Sequence, residues 1–156
     1  MLLVEKVILL KSTDIFQHTP EQELIDIAYI MQEMEVEAGT TLFEKGDEGN
    51  SLYLVYKGSV SIHDGDHEFA VLEPNEIFGE LSLLDTEPRS ASATAVTECG
   101  LLKLSQEPFY EVLMQNSKVL KGIMRTLCKR LREEDRKSDD GDLRPVTQAE
   151  CNHKDG

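Results

Sequence analysis

Between Met34 and Leu104 the chain is cut into short pieces by glycine, proline and Asp-Gly, and this punctuation limits the fold more than any other feature. From Met34 the pattern shifts toward a period of two, in short runs over 34–36, 41–44, 51–56, 59–63, 68–72, 92–96 and 100–104. Gly39, the run Gly46-Asp47-Glu48-Gly49, Gly58, Asp64-Gly65-Asp66 and Pro74-Asn75 separate the earlier pieces. A period of two sends alternate side chains to opposite faces of a strand, and Asp-Gly between two such runs signals a hairpin. Strands this short and closely spaced leave no room for crossover helices. The pattern predicts a mainly β fold, a sandwich or a jelly roll (double-stranded β-helix), rather than βαβ units.

Helices are expected on both flanks of the roll. Thr19-Pro20-Glu21-Gln22 reads as a helix start, with Thr19 as N-cap, Pro20 at the first position and Gln22 closing a capping box. Leu24, Ile27, Ala28 and Met31 follow at helical spacing, and His18, just before the cap, reads as a surface residue. After the strands, 106–114 reads as a helix with Phe109, Val112 and Leu113 inward. A longer helix runs from Ser117 to about Arg136, with Leu120, Ile123, Met124, Leu127 and Leu131 as its apolar stripe. Lys118, Lys121, Arg125, Lys129 and Arg132 form a basic stripe, and 117–132 holds six bases and no acid. Gly122 is a weak spot there, costing about 1 kcal/mol relative to Ala. The division is 1–14 as a leading helix or a linker from an upstream region, 15–132 as the domain with its C-terminal helix, and 133–156 as a disordered tail.

At 156 residues the chain is one domain's worth, and its charge narrows the function classes. A net charge of −14 argues against DNA or RNA as a direct partner, because neutralising phosphates needs a basic surface. Cys99, Cys128 and Cys151 stand far apart with no C-x-x-C pair, which fits a reducing cytosol with Cys99 and Cys128 buried. The location expected is cytoplasmic, the cytosolic part of a membrane-associated protein included. The first ten residues are apolar but far short of the ~20 that cross a bilayer, and no cleavage site follows them. Jelly rolls that are metal enzymes need clustered histidines; here only His63 and His67 lie near each other, without H-x-H spacing. Glu80 could serve as a general base, yet nothing beside it reads as a nucleophile. No metal site, catalytic residue or enzyme activity is expected.

The chemistry concentrates in Phe78-Gly79-Glu80-Leu81-Ser82-Leu83-Leu84, a gap, and then Pro88-Arg89-Ser90-Ala91-Ser92. Gly79 lets a ligand approach the backbone, and the amides after it open a short helix. Glu80 is an acceptor fit for a sugar hydroxyl, and Arg89 a fork of donors fit for phosphate. A strand, a turn and an exposed Arg would fit these residues as well. Charge separates the two readings. Residues 1–116 carry 22 acids and 6 bases, a net of −16, and Arg89 is the only base between Lys57 and Lys103. An anion approaching such a surface needs a designated cation.

This stretch, F-G-E-L-S-L-L-x-x-x-P-R-S-A-S, resembles the phosphate-binding cassette of cyclic nucleotide-binding domains. Ala38-Gly39-Thr40, Glu44-Lys45-Gly46-Asp47, Leu52-Tyr53-Leu54-Val55 and Lys57-Gly58-Ser59-Val60 support it upstream, so the likeness covers roughly Phe16 to Leu131. The resemblance implies a regulatory module for 3′,5′-cyclic AMP, or less favoured cyclic GMP, with no further cofactor. It implies a ligand site of Phe78, Gly79, Glu80, Leu81, Ser82, Arg89, Ser90 and Ala91. Glu80 would accept from the ribose 2′-hydroxyl; Arg89 would pair with the cyclic phosphate, helped by amides of Gly79, Leu81, Ser90 or Ala91. Val60 and Leu72 would line the base pocket, and Leu120, Ile123 or Leu127 would cap it as the C-terminal helix closes like a lid. Ser90 serves either base; the lean to adenine rests on the lack of a second guanine-specific group. The basic helix itself suits three roles: folding back on the acidic roll, pairing with a second copy as a homodimer, or docking on an anionic membrane or acidic partner. No helix-turn-helix pattern follows it, so the effector is expected in another part of a larger multidomain protein or in a partner chain, or is absent. The competing reading is a degenerate domain kept for dimerisation or docking; intact Gly79, Glu80 and Arg89 count against it.

Overall fold

A computed structural model describes residues 1–85 and 87–139, and of Leu81 and 136–139 the backbone only. Two central strands explain the layout. β3 (Ser51–Lys57) and β8 (Cys99–Ser105) pair antiparallel, with Leu54 opposite Leu102 and Tyr53 opposite Lys103. Both strands are buried on both faces, and their period of two sorts the side chains between two cores. Leu52, Leu54, Leu102 and Leu104 point to a cluster shared with the helices. Tyr53, Val55, Cys99 and Leu101 point the other way, into the roll, with Val60, Ile62, Phe78 and Ala93.

Six further strands complete two four-stranded antiparallel sheets. These are β1 (Gln32–Val36), β2 (Thr41–Phe43), β4 (Val60–Asp64), β5 (His67–Leu72), β6 (Ile77–Phe78) and β7 (Ser92–Ala95). One sheet has the order β1-β8-β3-β6 and the other β2-β7-β4-β5, the jelly roll expected from the punctuation. The Asp64-Gly65 hairpin joins β4 to β5, with Asp64 opposite His67. β6 went unread, because two residues are too few to show a period; it pairs Phe78 with Tyr53 and so places the residues after it.

The helices are α1 (Leu3–Lys11), α2 (Glu21–Ile30), α3 (Glu80–Leu84), α4 (Gln106–Gln115) and α5 (Ser117–Asp139). Leu10, Ile15, Phe16, Leu24, Ile27, Phe109, Val119 and Ile123 form the helical core against the β3–β8 face. The capping box does not form: Pro20 takes the N-cap place of α2 and no side chain caps it. Thr19 is instead fully buried, its backbone oxygen accepting from Lys11 Nζ at 2.8 Å and its side chain facing Gly122. A Cβ on Gly122 would collide with the Thr19 hydroxyl and approach its Cα to 3.2 Å. Gly122 is therefore the place where α5 comes close, and its helix-propensity cost is offset by packing.

The apolar stripe of α5 divides. Ile123 is buried and Leu127 packs against the helical core, whereas Leu120, Met124 and Leu131 are exposed. α5 runs past Arg132 to Asp139, into the stretch read as tail; 140–156, and Cys151 with them, lie outside the described residues. Cys99 is buried as expected but Cys128 is exposed, on the outer side of the helix. His18 is half-buried rather than on the surface.

Candidate functional site

Strand β6 delivers the chain to Gly79, whose φ of +80° is left-handed and suits glycine alone. α3 begins at the next residue, Glu80. The other half of the stretch is held by the glycine-bearing loop after β2. The Arg89 amide donates to the Asp47 carbonyl at 2.7 Å, and the Gly46 amide donates to the Arg89 carbonyl at 2.8 Å. Glu48 also bridges to Pro88, so the Arg89 backbone is clamped from both sides.

Arg89 is not an exposed arginine. It is only 4% exposed, and its guanidinium carbon lies 4.0 Å from the centre of the Phe43 ring. Nη2 donates to the Ser51 carbonyl at 2.9 Å, while Nε and Nη1 are buried without a hydrogen-bond partner among the described residues. Burial pulls its pKa below the ordinary guanidinium value, opposed by Tyr53 and the Asp47 charge. The enclosure is tight: a Cβ on Gly79 would come within 2.5 Å of Nη1, and one on Gly49 within 2.9 Å of Nε. Unspent donors of a buried cation are costly and suit the oxygens of an anion.

Glu80 is buried too, at 7% exposure, and meets a residue that the pattern reading passed over. Arg130 of α5 donates from Nη1 to Glu80 at 3.1 Å, and from Nη2 and Nε to Asp14 at 2.7 and 3.2 Å. Burial works against the Arg130 charge, but Glu80 and Asp14 outweigh it and hold its pKa above the usual value. These groups border a cavity of about 470 Å³. Leu72 and Ile77 form its apolar side, Glu80 and Arg130 its charged edge, and residues 12–15 a further wall. That volume lies within the ~300–1,000 Å³ usual for a small-molecule site.

The expected residues fall in three groups. Phe78 is buried, its ring stacked on Tyr53 at 5.1 Å, and Ser82 and Ala91 are buried while Ser90 is half-buried. With Gly79, the Leu81 backbone, Glu80 and Arg89 they lie on β6, α3 and the segment that Gly46 and Asp47 clamp. Leu72 reaches the cavity; Val60, opposite it in register, is sealed inside the roll. Leu120, Ile123 and Leu127 do not line the cavity: the first is exposed and the other two face the helical core. From α5 it is Arg130 that does. The six-base run of α5 was the signal available for Arg130; nothing in the pattern flagged Asp14 or Phe43.

A second cleft, of about 630 Å³, lies between α2 and the α4–α5 junction. Its Glu23 accepts from Asn116 and pairs with Lys118 at 3.7 Å, so it is acidic and internally satisfied. Among the described residues no group of three or more His, Cys, Asp or Glu could hold a metal ion. No described helix is long and apolar enough to cross a membrane.

Comparison with known proteins converges on one family. The profile described as cyclic nucleotide-binding domain matches residues 33–116. The Cyclic AMP receptor protein of Thermus thermophilus is 38% identical over 121 residues, covering 74% of this chain and 56% of that one. The N-terminal domain of a transcriptional regulator from Streptomyces coelicolor superposes with a TM-score of 0.76 at 33% identity, over 80% of this chain and 93% of that one. The regulatory domain of Toxoplasma gondii PKA, crystallised with cAMP, gives 0.66 at 32% identity, over 70% and 44%. The chain thus spans little more than half the length of the first curated relatives it matches. With the profile spanning 33–116 and the roll superposing on these folds, the chain belongs to the cyclic nucleotide-binding domain family and is a regulatory domain of that kind.

Proposed function

We propose that this domain binds 3′,5′-cyclic AMP in preference to cyclic GMP, at the Phe78–Ala91 unit and the cavity beside it. The observation that carries this is Arg89: a buried guanidinium with Nε and Nη1 unspent, under a left-handed glycine, in a strongly acidic domain. The phosphate takes those donors together with amides of Gly79, Leu81, Ser90 or Ala91. The ribose 2′-hydroxyl donates to Glu80. The base enters the cavity against Leu72 and Ile77, under residues 12–15. The preference for adenine is supported by the ligand named for two relatives, a cyclic AMP receptor protein and a regulatory domain crystallised with cAMP. A degenerate, ligand-free role is disfavoured by the same arginine, since an unpaired buried charge has no purpose in a docking module.

Ligand entry tightens α5 over the cavity mouth. The support is Arg130, which already ties the distal half of α5 to Glu80 and Asp14. A ligand shifts such an equilibrium only by its difference in affinity for the two positions, and the hydroxyl on Glu80 supplies that difference. The exposed Leu120, Met124 and Leu131 suit a second copy of the chain, so the helix serves as a homodimer seam as well as a lid. We place this activity in the cytoplasm, as a module of a larger signalling protein without catalysis or direct nucleic-acid contact of its own.

Titration calorimetry with cyclic AMP, cyclic GMP and linear 5′-AMP tests the ligand. The expected result is one site per chain, cyclic AMP tightest. Absence of heat with both cyclic forms at millimolar concentration would leave the degenerate reading, and a tenfold preference for cyclic GMP would reverse the base. Hydrogen exchange in α5 should slow with ligand; protection confined to residues 78–91 would remove the lid.

A further inference from the structure

We propose that Phe43 is a positioning residue of the anion site, its ring face carrying the Arg89 guanidinium so that the in-plane donors Nε and Nη1 stay available for phosphate. The proposal rests on the cyclic-nucleotide reading and adds a residue outside the phosphate-binding turn. Phe43 closes β2 and is 7% exposed, with the Arg89 Cζ 4.0 Å from its ring centroid. The ring is itself fixed, 6.0 Å from Phe78 and 6.1 Å from Tyr53, which stack on each other at 5.1 Å. Phe78 immediately precedes Gly79, so the aromatic group and the turn that receives the ligand move as one body.

The geometry of a guanidinium gives this contact its value. Its five N–H bonds radiate in the molecular plane, whereas attraction to a ring acts perpendicular to it. Ring and phosphate therefore do not compete for the same directions. A carboxylate partner would compete, since it would occupy the donors that the ligand needs. Arg89 has no ion pair within 4.0 Å among the described residues, and Asp47 reaches it only as a charge at longer range. The Ser51 carbonyl takes Nη2 and fixes the rotation of the group, while the close backbones of Gly49 and Gly79 prevent it from swinging aside. The ring thus joins the Ser51 carbonyl and the Asp47 charge in offsetting the cost of a buried cation before the ligand arrives.

The test replaces Phe43 in the full chain with a ring-fluorinated phenylalanine, which keeps the shape and apolarity but withdraws charge from the ring face. Phe43→Leu and Phe43→Tyr are made alongside. Calorimetry with cyclic AMP should show a loss of several-fold for the fluorinated ring and roughly tenfold for Phe43→Leu, with Phe43→Tyr restoring affinity to within about twofold. In the free protein the Arg89 Nε–H resonance should lie upfield, shifted by the ring current, and return downfield in Phe43→Leu. Unchanged affinity in the fluorinated protein, or no upfield shift in the parent, would overturn the proposal and leave Phe43 as packing. A parent that binds no cyclic nucleotide would instead overturn the functional reading, and the ring-current shift would still decide whether Phe43 holds Arg89.

Discussion

The two ends of the proposed site treat their arginines in opposite ways. At the phosphate end Arg89 is sealed in, its backbone clamped by a loop and its side chain given one carbonyl and one ring. At the mouth Arg130 sits on a helix, 28% exposed, with two carboxylates sharing its donors. The first arrangement stores unsatisfied binding capacity inside a rigid roll; the second spends its capacity on holding a helix in place. In the function proposed above, affinity belongs at the first end and coupling at the second. A saturated, partly hydrated ion pair has little left to give a ligand, and a buried unpaired cation has a great deal.

Substitutions can break this contrast, and Arg89→Leu should have the largest effect. Its loss resembles breaking a buried charge pair, roughly 3–5 kcal/mol, or about a hundred- to several-thousand-fold in cyclic AMP affinity. The free protein should melt no lower than the parent, since an apolar side chain relieves an unpaired buried charge. Weak loss of binding by calorimetry would mean that the phosphate lies elsewhere. Glu80→Gln comes next, at about 1–2 kcal/mol, because an acceptor for the ribose hydroxyl remains. If it costs more than Arg89→Leu in proteins that melt alike, the two ends have been assigned the wrong way round.

Arg130→Gln should cost only about 1 kcal/mol of affinity yet remove the slowing of hydrogen exchange that ligand brings to α5. A large affinity loss with exchange unaffected would merge the two ends into one. The smallest effect is expected from Asp14→Asn, whose carboxylate is 65% exposed: below about 1 kcal/mol, and vanishing as salt is raised. Thermal melts and titrations at low and high ionic strength check this. A salt-independent effect would show that Asp14 belongs to the buried part of the site.

Much of the roll was legible because its signals are local. Glycine and Asp-Gly turns mark strand ends within a few residues, and 51–56 and 100–104 read as nearly unbroken apolar runs because each face of these central strands meets an apolar core. The Phe78–Ala91 stretch was legible for the same reason, since its glycine, carboxylate and guanidinium are neighbours in the chain. The capping box failed because Thr19 had a long-range competitor: packing on Gly122 was available, and the hydroxyl turned away from the helix start. Which α5 residue lines the cavity was not legible, because a helical stripe shows which residues share a face but not what that face meets. Ile123 went to the helical core, Leu120 to solvent, and Arg130 to the cavity.

By itself the sequence determined the jelly roll, its flanking helices, and a phosphate-suited turn in an acidic domain, because each is written in contiguous residues whose backbone preferences and periods are local. Only the tertiary structure decided that Arg89 is buried on Phe43, 46 positions away, and that Glu80 is met by Arg130, 50 positions away. Those contacts depend on how the roll closes and where α5 crosses it. Such distances are set by packing between elements, and no period or propensity along the chain encodes them.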